Sequence, residues 1–298
     1  MDSILLVLAV AASIFIPTLM AIGALWGYKL WRDRQGRRSP LADRRIHGAG
    51  EQLRKRIEDH TDSMLGGLIA LFFLGPYFLA AWALPKVEWS NAKFGVSEVL
   101  LLTAFLVMAA FSLRRVIVSG NARRRGMDGL KAEMFVAQEL NRLIGLGATV
   151  LHDVPCESFN LDHVVIGRHA VFVIETKSVR KPPKTGSKDH FKVAYDGERL
   201  RFPDHVNAKA IAQARQQAGW LAAYLRQMNI AVPVKAAVAL PGWWIDSPRL
   251  PEDGVRVFNP AGRGAHFMAD ARLGATPLSP AQASLITQAL VMRYPIEA

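Results

Sequence analysis

The chain has 298 residues, 37 Lys and Arg against 25 Asp and Glu, a net charge of +12 and one cysteine. That length allows one or two domains, and a chain 51% hydrophobic and 21% charged is no disordered polyelectrolyte. The lone Cys156 excludes an internal disulfide framework and a Cys-rich zinc cluster, and the mean hydropathy of +0.14 points to membrane segments.

Residues 1–131 hold 18 Lys and Arg against 10 Asp and Glu, and so carry most of the excess charge. Three apolar runs share this region: 4–28, 63–85 and 94–113. A membrane span needs about 20 apolar residues. The first run exceeds a signal-peptide core and lacks a basic leader, so it reads as a retained span. The second holds Pro76, which membrane helices tolerate, and approaches an aromatic pair, Trp82 and Trp89, suited to an interface belt. The third carries one charge, Glu98, near its start, within reach of headgroups. The loop 29–62 carries ten Lys and Arg, and Arg114, Arg115 and Arg123-Arg124-Arg125 follow the third run. Cations stay on the cytoplasmic side. The expected topology is therefore multi-pass in the plasma or inner membrane. The N-terminus lies outside, and everything after residue 113 is cytoplasmic. Residues 1–115 form the membrane region, 116–126 a basic linker and 127–298 a cytoplasmic domain.

From residue 127 the pattern changes. Met127–Leu143 has apolar residues near a helical period, with Asp128 placed as its cap and Gly145 and Gly147 as its stop. Three β-branched runs follow, Thr149–Val154, Leu161–Ile166 and Val171–Thr176, the last two joined by Gly167-Arg168-His169 as a hairpin turn. Phe191–Tyr195 and Glu198–Phe202 flank Asp196-Gly197 as a second hairpin. Ala208–Met228 reads as a Gln-rich amphipathic helix, and Val234–Leu240 and Val255–Phe258 as further strands. The fold class is mixed α/β, preceded by three transmembrane helices.

Strand side chains alternate faces, so Asp162 shares a face with Val164 and Ile166, and Glu175 shares one with Val171, Val173 and Lys177. A tight turn pairs the two strands and brings the acids and the lysine together at one sheet end. Charges there must be solvated, paired or metal-bound. Oxygen donors of this kind suit a hard cation, while a structural ion pair at a strand end remains the alternative. Other candidates carry less. His163 falls on the face opposite Asp162 and reads as packing or hydrogen bonding. His152-Asp153 lacks companion histidines at metal-site spacing. Cys156 reads as an inert thiol, and Trp243-Trp244 as packing rather than a base-stacking platform.

Asp162, twelve intervening residues and then Glu175-Thr176-Lys177 resembles the PD-(D/E)xK nuclease core. The wider context is similar to the nuclease-related domain family, NERD. That family's leading helix carries Gly-x-x-Gly-Glu, where this chain has Gly129-Leu130-Lys131-Ala132-Glu133. Its second strand reads Ile-Asp-His, here Leu161-Asp162-His163. Its third runs into Glu-x-Lys, here Glu175-Thr176-Lys177. Its later helix has a Gln-rich turn, here Gln213-Ala214-Arg215-Gln216-Gln217. Ala132 replaces a glycine, and Ser178-Val179-Arg180-Lys181-Pro182-Pro183 stands where the family shows a Gly-containing turn. The resemblance covers roughly residues 127–260. It implies a PD-(D/E)xK-like nuclease domain in which Asp162, Glu175 and the Thr176 carbonyl hold Mg²⁺, with Mn²⁺ as an alternative. Lys177 would orient water or offset charge, Glu133 would assist from the helix, and Gln213 would hold Lys177 or a phosphate oxygen. The implied substrate is nucleic acid, DNA before RNA, gripped by Arg180, Lys181, Lys184 and Lys188. The lipid bilayer is the second partner, and self-association is left open. An inactive nuclease-like fold, serving as a membrane-tethered nucleic-acid or protein binding module, is the competing expectation.

Overall fold

The structure is a computed structural model that describes residues 23, 27, 48–83, 95–182, 190–246, 254–269 and 276–294. The chain divides into two compact units, one of residues 1–44 and 57–124, the other of residues 45–56 and 125–298.

Among the described residues, the first unit holds the bodies of two long helices, α1 (Glu51–Ala83) and α2 (Val96–Asn141). Residues 57–83 and 96–124 run antiparallel. Thr61 Oγ1 accepts from Arg123 Nε at 2.8 Å, Ser63 Oγ accepts from Arg115 Nε at 3.1 Å, and the rings of Phe78 and Phe105 stand 4.7 Å apart. Gly67 permits the contact, because a Cβ there would meet Val116 Cγ2 at 2.8 Å and the Ser112 carbonyl at 3.2 Å. Large apolar side chains on both helices face outward, including Phe72 (73% exposed), Leu100 (64%) and Phe111 (64%).

Three spans are expected, but among the described residues one helix, Val99–Leu146, is long and apolar enough to cross a membrane, by length and composition. It takes in residues 99–113 of the third expected run. The second run is helical in α1 as far as Ala83, and the first lies outside the described residues apart from Gly23 and Gly27. The expected basic linker 116–126 is helix throughout, part of α2. It contains no proline, and arginine is a good helix former, so nothing breaks the helix before Asn141. Asp128 therefore caps nothing; its carboxylate instead accepts from Arg180 Nε at 2.6 Å.

The second unit is mixed α/β. After α2 a 3₁₀ turn (Arg142–Leu146) leads into β1 (Thr149–Pro155), β2 (Asn160–Ile166) and β3 (Val171–Thr176). These three form an antiparallel meander. The parallel strands β7 (Val234–Ala239) and β9 (Arg256–Phe258) extend it in the order β1-β2-β3-β7-β9. A smaller sheet, β6-β5-β4-β8, combines β4 (Lys192–Tyr195), β5 (Leu200–Arg201), β6 (Val206–Asn207) and β8 (Trp244–Asp246). The helices α3 (Lys209–Gln227) and α4 (Pro280–Val291) complete the unit.

Alternation along the buried strands divides the core. Val165, Phe172 and Ile174 pack with Val136 and Leu140 from the end of α2 and Leu143 of the 3₁₀ turn. Val164, Ile166, Val171 and Val173 pack with Leu221 and Leu225 of α3 and Ile286 and Leu290 of α4. The main sheet is thus covered on both faces, which is why β3 is buried along its whole length. A third cluster seats Ile211 and Ala214 of α3 against Val193, Tyr195 and Leu200 of the small sheet.

Candidate active site

The register His163↔Ile174 and Val164↔Val173, taken one step further, sets Asp162 directly opposite Glu175. Likewise His152↔His163 and Val154↔Leu161 bracket Asp153 opposite Asp162. Three carboxylates therefore stand side by side across β1, β2 and β3. Like charges opposite one another destabilise a sheet unless something offsets them.

The contacts show part of that offset. The Thr176 backbone N–H donates to Asp162 Oδ2 at 2.7 Å. Lys177 Nζ donates to Glu175 Oε1 at 2.5 Å and to Gln213 Oε1 at 3.0 Å. Gln217 Nε2 donates to the other Glu175 oxygen at 2.6 Å. Gln213 and Gln217 are one helical turn apart on α3, so both amides face the end of β3. The Lys177 N–H bonds the Ala239 carbonyl at 3.0 Å, which prolongs the parallel ladder by one residue and fixes the lysine's departure point. On the far side, Asn160 Nδ2 donates to Asp153 Oδ1 at 2.6 Å, and Asp153 sits at φ 50, a left-handed conformation that Asp tolerates.

These groups open into a cavity of about 850 Å³ whose wall includes Glu133, Asp153, Asp162, Glu175, Lys177 and Gln213. Burial pushes the Asp162 carboxyl well above the usual carboxylate range. Glu175 and Glu133 push it further, and the Thr176 N–H and Lys177 oppose them. Glu133 is pushed up to about 7, chiefly by burial and then by Asp153 and Glu175, with Lys177 and Arg56 opposing. Both acids are thus held toward their protonated forms by burial and by neighbouring carboxylates. Among the described residues no group of three or more His, Cys, Asp or Glu side chains is arranged to hold a metal ion. Two carboxylates and a backbone carbonyl form a sparser set, of the kind Mg²⁺ accepts while keeping several waters.

All six expected site residues, Glu133, Asp162, Glu175, Thr176, Lys177 and Gln213, line this one cavity. Sequence reasoning passed over Asp153 and Gln217. Asp153 was readable from strand pairing with Asp162, and Gln217 from its spacing to Gln213. Of the expected grip residues, neither Arg180 nor Lys181 lines the cavity. Arg180 is bound to Asp128, Lys181 Nζ sits 5.7 Å from the Trp243 ring centre, and Lys184 and Lys188 fall outside the described residues. Trp243 is buried, with its indole N–H on the Val179 carbonyl at 3.1 Å, whereas Trp244 is 64% exposed.

The arrangement gains a context from comparison with known families. Residues 128–241 match the model of NERD, the nuclease-related domain. No curated protein and no solved structure matches the chain. The NERD match takes in all six expected residues together with Asp153 and Gln217, from the last turns of α2 to just beyond β7. It ends before β8, β9 and α4.

Two histidines and a cysteine lie outside the cavity lining. His163 is fully buried with its Nδ1 2.9 Å from His152 Nδ1, and His152 Nε2 lies 3.0 Å from Asn141 Oδ1. Burial holds both imidazoles below the usual range, His163 by far the more, so they pack as neutral rings. Burial pushes the Cys156 thiol up to about 12, which makes it inert.

Proposed function

We propose that the chain is a membrane-anchored, cytoplasm-facing, metal-dependent nuclease that hydrolyses nucleic-acid phosphodiesters, DNA before RNA. The observation that carries this is the pairing of Asp162 with Glu175, with Lys177 two residues on, in a cavity inside the NERD match. Asp162, Glu175 and the Thr176 carbonyl would hold Mg²⁺ or Mn²⁺. Their fit rests on the row of like charges that Lys177 alone does not neutralise. A divalent cation bound there supplies an acidified water and positive charge toward the phosphate.

The chain's own residues do the rest. Gln217 fixes the Glu175 carboxylate so that it cannot swing away. Lys177, held between Glu175 and Gln213, presents its ammonium to the cavity and offsets charge developing on a phosphate oxygen. Glu133 is the further carboxylate within reach of water in the same cavity.

Anchoring is supported by the apolar window of α2 and the large exposed side chains along it and along α1. An apolar surface of that extent calls for a cover, and the cationic segments on either side suit a cytoplasmic face. Reporter fusions after residue 120 test the orientation; activity of an exported reporter there would overturn it.

The decisive assay uses the full chain in detergent with single- and double-stranded DNA and RNA. Expected is cleavage that needs Mg²⁺ or Mn²⁺ and falls by at least about a thousandfold in Asp162→Ala, as loss of charge stabilisation of that size implies. A wild type that cleaves nothing in either metal removes the enzyme reading. The binding-module reading is favoured by one observation: both Glu175 oxygens already have partners.

A further inference from the structure

The cavity has a second wall that the expected site did not include. It is made by Gln52, Leu53, Lys55 and Arg56 from the first turns of α1, with Arg125 from α2. Residues 45–56 and 125–298 belong to the same compact unit, so this wall and the carboxylates are parts of one body. The sequence gives Arg54-Lys55-Arg56 an adequate explanation as a topology signal, which hides any other use.

Two glycines bring the cationic turn to this place. Gly50 precedes α1 at φ +79, and a Cβ there would point at Leu130 and come within 3.3 Å of Glu133 Oε2. Gly129 lies one turn before Glu133, and a Cβ there would come within 3.2 Å of Leu53 Cδ1. The start of α1 therefore rests against the helix that carries Glu133.

Lys55, Arg56 and Arg125 are exposed, and among the described residues none makes a hydrogen bond or an ion pair. Arg56 acts through space on the Glu133 carboxyl, and all three cations are exposed to an anion entering the cavity. The lining holds four cationic side chains, these three and Lys177, against four carboxylates, Glu133, Asp153, Asp162 and Glu175. Lys177 is paired with Glu175 among the carboxylates, whereas Lys55, Arg56 and Arg125 line the second wall. An extended polyanion fits such a split site, with one phosphate toward the carboxylate wall and its neighbours along the cationic one.

We propose that Lys55, Arg56 and Arg125 are the phosphate grip of this site, binding the nucleic-acid backbone on either side of the bond to be cut. This rests on the reading of the ligand as nucleic acid. It does not require that the chain cleave it.

The test is a salt series of oligonucleotide binding, read by fluorescence anisotropy with the full chain in detergent and EDTA. Each phosphate contact adds about 0.9 to the slope of log K against log salt on duplex and about 0.7 on single strands. The triple variant Lys55→Ala, Arg56→Ala, Arg125→Ala should lose about two units of slope or more. Arg226→Ala, on the exposed end of α3 and outside the cavity, should keep the wild-type slope. A triple variant with the wild-type slope, or an Arg226→Ala loss as large per charge, overturns the grip. So does a wild type that fails to bind at low salt. A grip-dependent slope in a chain that never cleaves removes the nuclease and leaves the grip. Cleavage with an unchanged slope in the triple variant does the reverse.

Discussion

The carboxyl of Glu133 sits largely out of water. Its pKa of about 7 in the folded chain lies above the ordinary 4.5, so the folded protein holds this proton more tightly than the unfolded chain does. Stability from this group is therefore greatest below about 4.5, falls as pH rises toward 7, and is flat above that. Glu133→Gln should remove the penalty, with a gain on the order of 2 kcal/mol at pH 8 and almost none at pH 4.5. Thermal unfolding in EDTA at the two pH values measures it, and equal shifts at both would contradict the assignment. Gln217 is a different case. Its amide is the partner of a buried Glu175 oxygen, so Gln217→Leu strands a carboxylate oxygen at a cost of about 1–3 kcal/mol. A melting temperature unchanged by that substitution would show that the bond carries no weight.

At the scale of elements, the meander was the most legible part. β1, β2 and β3 alternate or run apolar between turn residues, and their observed ends lie within a residue of those read from the pattern. From that pairing Asp162, Glu175 and Lys177 follow directly. β6 and β8, of two and three residues, were not read from the sequence. α4 was legible and missed: Ser279-Pro280-Ala281-Gln282 spells a capping box. Ser279 Oγ accepts from the Gln282 N–H at 3.2 Å, and Gln282 Oε1 accepts from the Ser279 N–H at 2.9 Å. Ser279→Ala should cost about 1 kcal/mol, seen as earlier melting of the second unit. The cationic turn of α1 was illegible for another reason. A run of Lys and Arg reports only its sign, and Gly50 and Gly129, which decide where that run goes, look like ordinary loop and helix glycines in the sequence. Gly50→Val keeps every cation yet strains the left-handed turn, so it should weaken oligonucleotide binding severalfold without altering net charge. Wild-type affinity in that variant would show that the turn is not what places the cations.

For the molecule as a whole, the NERD match and the folded body do not coincide. The match stops at residue 241, but β9 is the edge of the main sheet, and Ile286 and Leu290 of α4 close the core over Val164, Ile166, Leu221 and Leu225. Arg293 clamps this tail. Its Nε donates to the Pro155 carbonyl at 2.6 Å, and its guanidinium lies 5.0 Å from the Trp220 ring centre and 4.8 Å from that of Tyr224. A fragment ending at 241 should therefore expose the α3 side of the sheet and aggregate; a monodisperse, cooperatively melting fragment would refute this. The clamp also makes the chain self-reporting. An indole with a cation stacked on its face emits differently from one in water, so Trp220 fluorescence gives a direct optical gauge of whether the tail is docked.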